Sequence, residues 1–488
     1  MNHQLKAYAL PSNTMPLGVG TIHLIGIGGI GMSGIAEILH NLGYKVKGSD
    51  IAENANALRL RKMGIEVIIG HRAENISDAS VVVMSSAVKA DNPEIIEARA
   101  KKIPVVRRAE MLAEITRLKT CVAIAGTHGK TTTTAMAGAL FTAAGLDPTV
   151  INGGIINAYG TNAYLGSGDW MVVEADESDG TFIRIPSAIG VITNIDPEHL
   201  DFYGSFSGVK KAFRTFITNL PFYGFAVACA DHRVVRKIIS DITDRRIYTY
   251  SVKVGKGGAA ADVRAKNIKS TVTGSIYNVE ISGRLTGGEP KILKNIHLNI
   301  PGIHNVQNSL SVIAIAAALH LPDAVIYDTF KNFRGVKRRF TITGEARGVT
   351  IIDDYGHHPE EISATLKAAR NVVKAAGAGR VIAVVQPHRF SRVRDLWEQF
   401  ALCFKDADEV VVADIYTAGE EPIAGITQDN LIKNIAEKGG RKTHKLNSEK
   451  ELAGLIKEIA RPGDLVVCLG AGSITYWANN LPEQLAGI

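Results

Sequence analysis

The chain has 488 residues, which is enough for about three domains of ordinary size. Its composition, 46% hydrophobic and 21% charged, is typical of a folded globular protein and excludes a disordered or fibrous chain. The net charge of +7 is spread along the chain without a basic block, so it favours anionic small substrates and gives no indication of nucleic-acid binding.

Nothing in the sequence predicts membrane insertion or export. No apolar run approaches the ~18 residues that span a bilayer, and the first residues lack the apolar segment of a signal peptide. Four cysteines lie far apart and are expected to be buried free thiols: Cys121, Cys229, Cys403 and Cys468. We therefore expect a cytoplasmic protein.

The first segment begins with an apolar strand, Thr21 to Ile25, and continues as a helix to about Leu42. Between them lies G-x-G-x-x-G, at Gly26, Gly28 and Gly31, and a second strand ends shortly before Asp50. This layout predicts a nucleotide on the glycine turn, with Asp50 near a ribose hydroxyl. A tight turn that binds nothing is the alternative. Further βα alternation to residue 119 predicts a parallel sheet.

The second segment opens with a strand, Cys121 to Ala125, followed by Gly126-Thr-His-Gly-Lys-Thr-Thr132 and a helix to Ala144. Glycines let backbone amides approach phosphate oxygens, and the helix start adds a favourable dipole. Lys130 would reach terminal phosphates and Thr131 would bind Mg²⁺. The glycines are two residues closer than in the common G-x-x-x-x-G-K-[ST] loop. The alternative is a plain strand–turn–helix with an incidental lysine.

Two further strands, 170–173 and 189–193, run into Glu174 and into Thr193-Asn-Ile-Asp-Pro-Glu-His199. Strand ends of a parallel sheet meet at one edge, so both groups should lie beside the phosphate loop and suit Mg²⁺. Alternatives are a solvated acid for Glu174 and a structural hydrogen bond for His199.

Residues from about 255 to 290 are rich in glycine, threonine and valine and predict β-hairpins or an excursion from the domain. His304-Asn-Val-Gln-Asn308 then precedes an apolar helix, Ser309 to Leu319. The asparagine side chains suit an adenine edge, and helix capping is the alternative.

The third segment, from residue 337, predicts a doubly wound unit in which four apolar strands each end in a polar loop. Such loops on one sheet edge indicate a site. They begin at Asp353, Gln386, Asp414 and Gly470. Lys337-Arg-Arg-Phe340, at the hinge before this unit, would carry two guanidiniums toward phosphates or would be a solvated basic patch.

In this order, these motifs resemble the Mur ligases of peptidoglycan synthesis over essentially the whole chain. Ser85-Ser-Ala-Val88 and Tyr416-Thr-Ala-Gly-Glu-Glu-Pro-Ile423 are similar to the branch that adds L-alanine. The resemblance implies three α/β domains with mostly parallel sheets flanked by helices. These are a Rossmann-like UDP-sugar domain (1–119), a P-loop-type ATP domain (120–336) and a doubly wound domain (337–488) that binds the amino acid and closes on ATP.

The resemblance also implies the substrates UDP-N-acetylmuramate, L-alanine and ATP, with Mg²⁺ as cofactor and an acyl-phosphate intermediate. The implied catalytic residues are Lys130, Glu174 and His199, and the implied metal ligands are Thr131, Glu174 and His199. The implied ATP contacts are Gly126, Thr127, His128, Gly129, Lys130, Thr131, Thr132, Asn308, Arg339 and Asp354. The UDP-sugar would lie on Gly26, Gly28, Gly29, Gly31, Asp50 and Ser86. The amino acid would lie on Tyr355, His357, Arg389 and Arg392.

Several points stay open at the level of sequence. His199 and His357 are both candidates for the base that deprotonates the amine, and a monomer and a homodimer are equally compatible. Several Mur ligases carry a carbamylated lysine fifteen residues after the magnesium histidine; here that position is Arg214, as expected for the alanine branch. Alternative functions are a sibling ligase that attaches a recycled tripeptide, a nicotinamide-dependent oxidoreductase, and a non-catalytic scaffold.

Overall fold

The structure is a computed structural model that describes residue 15 and residues 18–85, 87–253 and 261–487. These residues form two compact units. One unit comprises the described chain up to Arg264 together with residues 281–290 and 310–329. The other comprises residues 265–280, 291–309 and the described chain from residue 330 onward.

The first unit contains a five-stranded parallel sheet. Its elements are β1 (Thr21–Ile25), α1 (Ile30–Asn41), β2 (Val46–Asp50), α2 (Ala55–Lys62), β3 (Glu66–Ile69), β4 (Ala79–Met84), α3 (Pro93–Ala100), β5 (Val105–Arg107) and α4 (Arg108–Thr116). The strand order is β3-β2-β1-β4-β5. The chain thus moves from β1 first to one side and then to the other, which leaves a crevice at the carboxyl end of β1 where ligands bind in such sheets.

A second sheet follows in the same unit. Its elements are β6 (Thr120–Ala125), α5 (Lys130–Ala143), β7 (Thr149–Ile156), β8 (Thr161–Tyr164), β9 (Trp170–Glu174), β10 (Ile189–Ile192), α6 (Leu200–Tyr203), α7 (Phe206–Thr218), β11 (Phe225–Cys229), α8 (Arg233–Ser240) and β12 (Ile247–Ser251). The order β12-β11-β10-β6-β9-β7-β8 is parallel except for β8, and it places β6 between β10 and β9. The ends of these three strands therefore meet at one edge.

The chain that follows β12 falls partly in each unit. Its elements are β13 (Val263–Ser270), β14 (Ser275–Ile281), α9 (Gly283–Thr286), β15 (Lys291–Leu298), α10 (Ile303–Ala318) and α11 (Asp323–Asn332). Strands β13 and β14 form the hairpin that the sequence predicts, closed by Thr271 N–H on the Gly274 carbonyl at 2.9 Å. Residues 254–260 of the predicted excursion lie outside the described residues.

The second unit contains the third sheet. Its elements are β16 (Thr341–Ala346), β17 (Val349–Asp354), α12 (Pro359–Ala376), β18 (Val381–Val385), α13 (Phe390–Asp395), α14 (Trp397–Leu402), β19 (Glu409–Ala413), α15 (Gln428–Gly439), β20 (Lys442–Leu446), α16 (Glu449–Ile459), β21 (Leu465–Leu469) and α17 (Ile474–Ala486). The order is β16-β17-β21-β18-β19-β20, parallel except for β16. Apolar residues on the two faces of this sheet form two buried clusters beneath the helices.

The predicted fold class is confirmed: three α/β regions carry mostly parallel sheets flanked by helices. One helix begins earlier than predicted. The helix expected to begin at Ser309 begins at Ile303, directly after Gly302, whose φ of +104° ends the preceding segment. All four cysteines are buried and free, as predicted. Among the described residues, no helix combines the length and the apolar character needed to cross a bilayer.

Candidate functional site

The loop between β6 and α5 has the conformation that its glycines predict. Gly126 has φ +131° and Gly129 has φ +85°, values that L side chains rarely adopt. A Cβ on Gly126 would lie 2.0 Å from the Thr193 hydroxyl oxygen, so this position also excludes a side chain sterically. The turn leads directly into α5, whose free amides face the loop, as in a phosphate-binding site.

The residues after β10 hold this loop in place. The Asn194 side chain accepts from His128 N–H at 2.7 Å and donates to the His128 carbonyl at 3.0 Å. The Thr193 hydroxyl donates to the same carbonyl at 2.6 Å, and Asp196 N–H donates to the Thr127 hydroxyl at 2.8 Å. The sequence predicted that this segment lies beside the loop, but it gave no signal that Thr193 and Asn194 fix the loop backbone.

Lys130, which the sequence assigned to terminal phosphates, lies folded onto its own loop. Its ammonium donates to the carbonyls of Gly126 at 2.7 Å and Thr127 at 3.1 Å. It also lies 2.9 and 2.8 Å from the two carboxylate oxygens of Glu177. Burial by itself would lower the pKa of Lys130, but Glu177, Asp176 and Glu174 outweigh burial and raise it. The lysine is therefore a buried cation held at the phosphate loop.

The predicted metal ligands fall into two groups. The Thr131 hydroxyl lies 3.2 Å from one carboxylate oxygen of Glu174, whose other oxygen accepts from Gly153 N–H at 2.8 Å. His199 instead lies beside Glu198 and Glu177, and the ligand atoms of these three are within 4.8 Å of one another. Hydroxyl and carboxylate oxygens beside a phosphate loop fit the preference of Mg²⁺ for hard ligands.

Arg214, at the carbamyl-lysine position of other Mur ligases, takes no part in this group. It lies on α7, where its guanidinium donates to the Asp241 carbonyl at 3.2 Å, and its side chain is about half exposed.

The glycine turn after β1 is closed by the end of β2. Gly26 and Ile27 donate their N–H groups to the Ser49 carbonyl, and Gly28 donates to the Asp50 carboxylate at 2.8 Å. Asp50 therefore lies at the turn, as the sequence predicts, but one of its oxygens already has a backbone partner. Gly29 and Gly31 flank the start of α1. Ser86 lies outside the described residues.

No sequence pattern indicated Arg108, which connects this turn with the second sheet. Its guanidinium packs so closely on α1 that a Cβ at Gly31 would lie 3.2 Å from the arginine side chain. The same guanidinium lies 3.7 Å from the Asp176 carboxylate, in the turn that follows β9.

In the second unit, Asn305 and Asn308 lie within α10 rather than at its cap. Asn305 donates to the Pro301 carbonyl at 2.7 Å, so its amide ties the helix to the preceding segment. Helix capping, the alternative that the sequence left open, is wrong for both residues because the helix begins at Ile303. The adenine contact of Asn308 stays a prediction.

Asp354 and the paired arginines form one cluster. The Asp354 carboxylate is buried and accepts from Phe340 N–H and Gly356 N–H, both at 2.8 Å. Arg338 and Arg339 lie over the Tyr355 ring at 4.7 and 5.3 Å from its centroid. These arginines are therefore packed on an aromatic ring and are not a solvated patch. The contacts of Asp354 fix the segment that carries them, a use that the sequence did not reveal.

The residues that were predicted to bind the amino-acid substrate lie around two histidines, His357 and His388. The His357 ring meets His388 edge to face at 5.7 Å, and His388 stacks on Tyr416 at 5.4 Å. Arg392 approaches the His388 ring nitrogen at 3.4 Å, while Arg389 N–H donates to the Tyr416 carbonyl at 2.8 Å. The pKa of His388 is lowered to about 4, chiefly by burial and then by His357 and the two arginines. A neutral ring beside two guanidiniums can orient a small zwitterion.

Three Mur ligase family models match the chain. The catalytic-domain model of the Mur ligase family matches residues 21–120, the middle-domain model residues 124–316, and the glutamate ligase domain model residues 338–472. Together they cover most of the chain in the order of the three sheets.

Individual relatives are similar over the full length. UDP-N-acetylmuramate–L-alanine ligases of Rhodospirillum centenum and Rhodospirillum rubrum are 59% and 58% identical, over 96% and 97% of this chain and 95% and 96% of theirs. The crystal structure of UDP-N-acetylmuramate-alanine ligase from Thermotoga maritima has a TM-score of 0.79 at 30% identity, covering 96% of this chain and 99% of that one. A murein peptide ligase from Psychrobacter arcticus shares the fold, with a TM-score of 0.68 at 22% identity over 96% of this chain and 99% of that one.

Proposed function

Because the chain belongs to the Mur ligase family, we propose that it joins L-alanine to the lactyl carboxylate of UDP-N-acetylmuramate at the expense of ATP. The observation on which this depends is the full-length identity of 59% with an alanine-adding ligase. The phosphate loop, with Lys130 and Thr131 at the start of α5, supports the use of ATP. The reaction belongs to the synthesis of peptidoglycan precursors, and we place it in the cytoplasm.

The first step that we propose is phosphoryl transfer. A lactyl carboxylate oxygen attacks the γ-phosphorus of ATP, the bond to the bridging oxygen of ADP breaks, and an acyl phosphate forms. This chemistry depends on positioning and on neutralisation of charge. The loop amides and Lys130 supply positive charge to the phosphates, and the glycine turn after β1 holds the UDP-sugar. Mg²⁺, when bound, neutralises further phosphate charge; Thr131, Glu174 and His199 are the residues to which we assign it.

The second step is amide formation. The amine nitrogen of L-alanine attacks the acyl carbon, and inorganic phosphate leaves from the tetrahedral intermediate. We assign the alanine carboxylate to Arg389 and Arg392, because guanidinium–carboxylate pairs are strong and directional. The attacking amine must first lose a proton. His199 and His357 are the candidates for that base, whereas the low pKa of His388 makes it a poor one.

Phosphate release by the purified protein tests this proposal. The protein is incubated with Mg-ATP and UDP-N-acetylmuramate across a panel of amino acids that also contains the recycled tripeptide. We expect release that depends on L-alanine. Phosphate release with the tripeptide alone would indicate a sibling ligase that attaches a recycled tripeptide. An absence of phosphate release with every acceptor would favour a non-catalytic scaffold. Turnover of a nicotinamide cofactor without ATP would contradict the ligase class.

A further inference from the structure

The ammonium group of Lys130 has no donor left for a phosphate. An ammonium carries three N–H groups. The structure supplies three acceptor groups: the carbonyls of Gly126 and Thr127 at 2.7 and 3.1 Å, and the Glu177 carboxylate at 2.9 Å. A phosphate oxygen can reach this ammonium only if one of these bonds breaks.

Glu177 is held in this position by its own backbone. Its carbonyl accepts from the Tyr203 hydroxyl at 2.6 Å and from Gly180 N–H at 3.0 Å. Its side chain is only 3% exposed, and that of Lys130 is 13% exposed. These bonds hold the backbone of Glu177, and its carboxylate contacts the ammonium in a place with little access to water.

Of the three acceptors, the carboxylate is the one that an entering phosphate would displace. The two carbonyls belong to the same loop as Lys130, within four residues of it. Glu177 lies on a separate turn and carries a negative charge, which a phosphate oxygen at the same ammonium would repel. Four other charged or titratable groups lie near Glu177: Asp176, Glu198, His199 and Tyr203. Arg108 lies beyond Asp176.

We propose that Glu177 is a positioning residue that holds Lys130 on the loop in the free protein, and that a nucleoside triphosphate must displace this carboxylate to reach the ammonium. The inference rests on the proposed use of ATP. Displacement carries a cost, because the carboxylate would lose its cation in a place where its side chain is almost fully buried. Glu177 therefore lowers the affinity for nucleotide and keeps the lysine in place between turnovers.

Glu177→Gln tests the proposal through binding rather than activity. The neutral amide keeps the size of the side chain but removes its charge. We expect the magnesium complex of the non-hydrolysable analogue adenylyl imidodiphosphate to bind about five- to tenfold more tightly in titration calorimetry, the size of a weakened charge-assisted hydrogen bond.

A double-mutant cycle separates this competition from general electrostatics. If Glu177 acts through Lys130, the gain disappears when Glu177→Gln is made in a Lys130→Ala background. A gain that persists there, or an equal gain from Glu198→Gln, would overturn the proposal. Unchanged or weaker binding by Glu177→Gln would overturn it too, since the carboxylate would then support the lysine during binding.

Folding is checked by thermal unfolding of each variant. If Glu177→Gln does not fold, Glu177→Asp serves in its place, because the shorter carboxylate holds the ammonium less closely. It should then bind the analogue more tightly than the unchanged chain, and equal or weaker binding would contradict the proposal. Absence of nucleotide binding by the unchanged chain would instead overturn the proposed function, and the inference with it.

Discussion

Arg389 takes its position from an unusual backbone conformation. Its φ is +70°, and its N–H is tied to the Tyr416 carbonyl from the neighbouring strand end. Ser391, two residues further on, donates its N–H and its hydroxyl to Glu420, which fixes the start of α13. The backbone of Arg389 is thus held in place beside the stacked rings of His388 and Tyr416.

Arg389→Ala tests the proposed binding of the amino-acid carboxylate. Loss of a charge-assisted pair should raise the KM for L-alanine by about 10- to 100-fold, with a much smaller change in the KM for ATP. Steady-state kinetics with each substrate varied in turn measures both. Arg394→Ala is the matched control, because Arg394 lies on α13, which begins directly after Arg389 in the chain, and because it is half exposed and pairs with Asp395. Equal increases in both KM values would contradict the assigned role.

At the scale of elements, the phosphate loop depends on contact between two strand ends. Gly126 follows β6, and Thr193 follows β10, the strand beside it. The glycine lets the Thr193 hydroxyl approach the loop closely enough to donate to the His128 carbonyl. Loop shape is therefore a property of the pair of strands and not of the glycine motif alone.

Gly126→Ala should disrupt this arrangement. The new side chain would be strained by about 1–3 kcal/mol in its backbone conformation and would also collide with Thr193. We expect nucleotide affinity to fall by at least about tenfold in calorimetry. Gly145→Ala is the control: Gly145 also has positive φ, but no atom lies within 4 Å of its added Cβ. Equal nucleotide affinities of the two variants would contradict the prediction that the collision with Thr193 disrupts the loop.

A buried polar network supports the glycine turn after β1. Glu94 on α3 accepts from Ser49 at 2.7 Å and from Asn75, and it lies 3.4 Å from His23. Ser49 is also the residue whose carbonyl holds Gly26 and Ile27. Burial alone would raise the pKa of Glu94, but the hydrogen bonds from His23, Ser49 and Asn75 outweigh it and hold that pKa below its ordinary value.

This shift predicts a pH dependence of stability. A carboxyl whose pKa is lowered by folding stabilises the fold fully above its unfolded value and loses that contribution as the pH falls through its folded value. Glu94→Gln should therefore destabilise the protein by about 1–3 kcal/mol at pH 7 and by less below pH 4. Thermal unfolding between pH 3 and 7 measures this, with Glu97→Gln on the surface of α3 as control. A difference that stays constant with pH would refute the prediction.

At the scale of the whole molecule, the family resemblance predicts motion of the segment from residue 337. If this segment closes on ATP, the radius of gyration in solution should decrease when nucleotide and UDP-sugar are both present. Small-angle scattering with each ligand alone and with both measures the change. Profiles that do not respond to either ligand would contradict closure.

The sequence by itself determined the three sheets, because apolar strands, glycine turns and amphipathic helices follow from local chemistry. It also predicted a phosphate loop, since Gly126, Gly129 and Lys130 are close in the chain. It misplaced the start of α10, where Gly302 interrupts the backbone one residue before Ile303. The sequence shows a glycine at this position but not its backbone conformation, so the helix start could not be located from it.

Only the tertiary structure decided which distant side chains meet. Lys130 and Glu177 are far apart in the chain, as are Arg108 and Asp176, and His388 and Tyr416. Their contacts depend on the order of strands in each sheet and on the direction in which each turn leaves its strand. No local pattern encodes those quantities. The sequence thus predicted which residue types form the candidate site. Which of these side chains contact one another was decided by the packing of helices and strands.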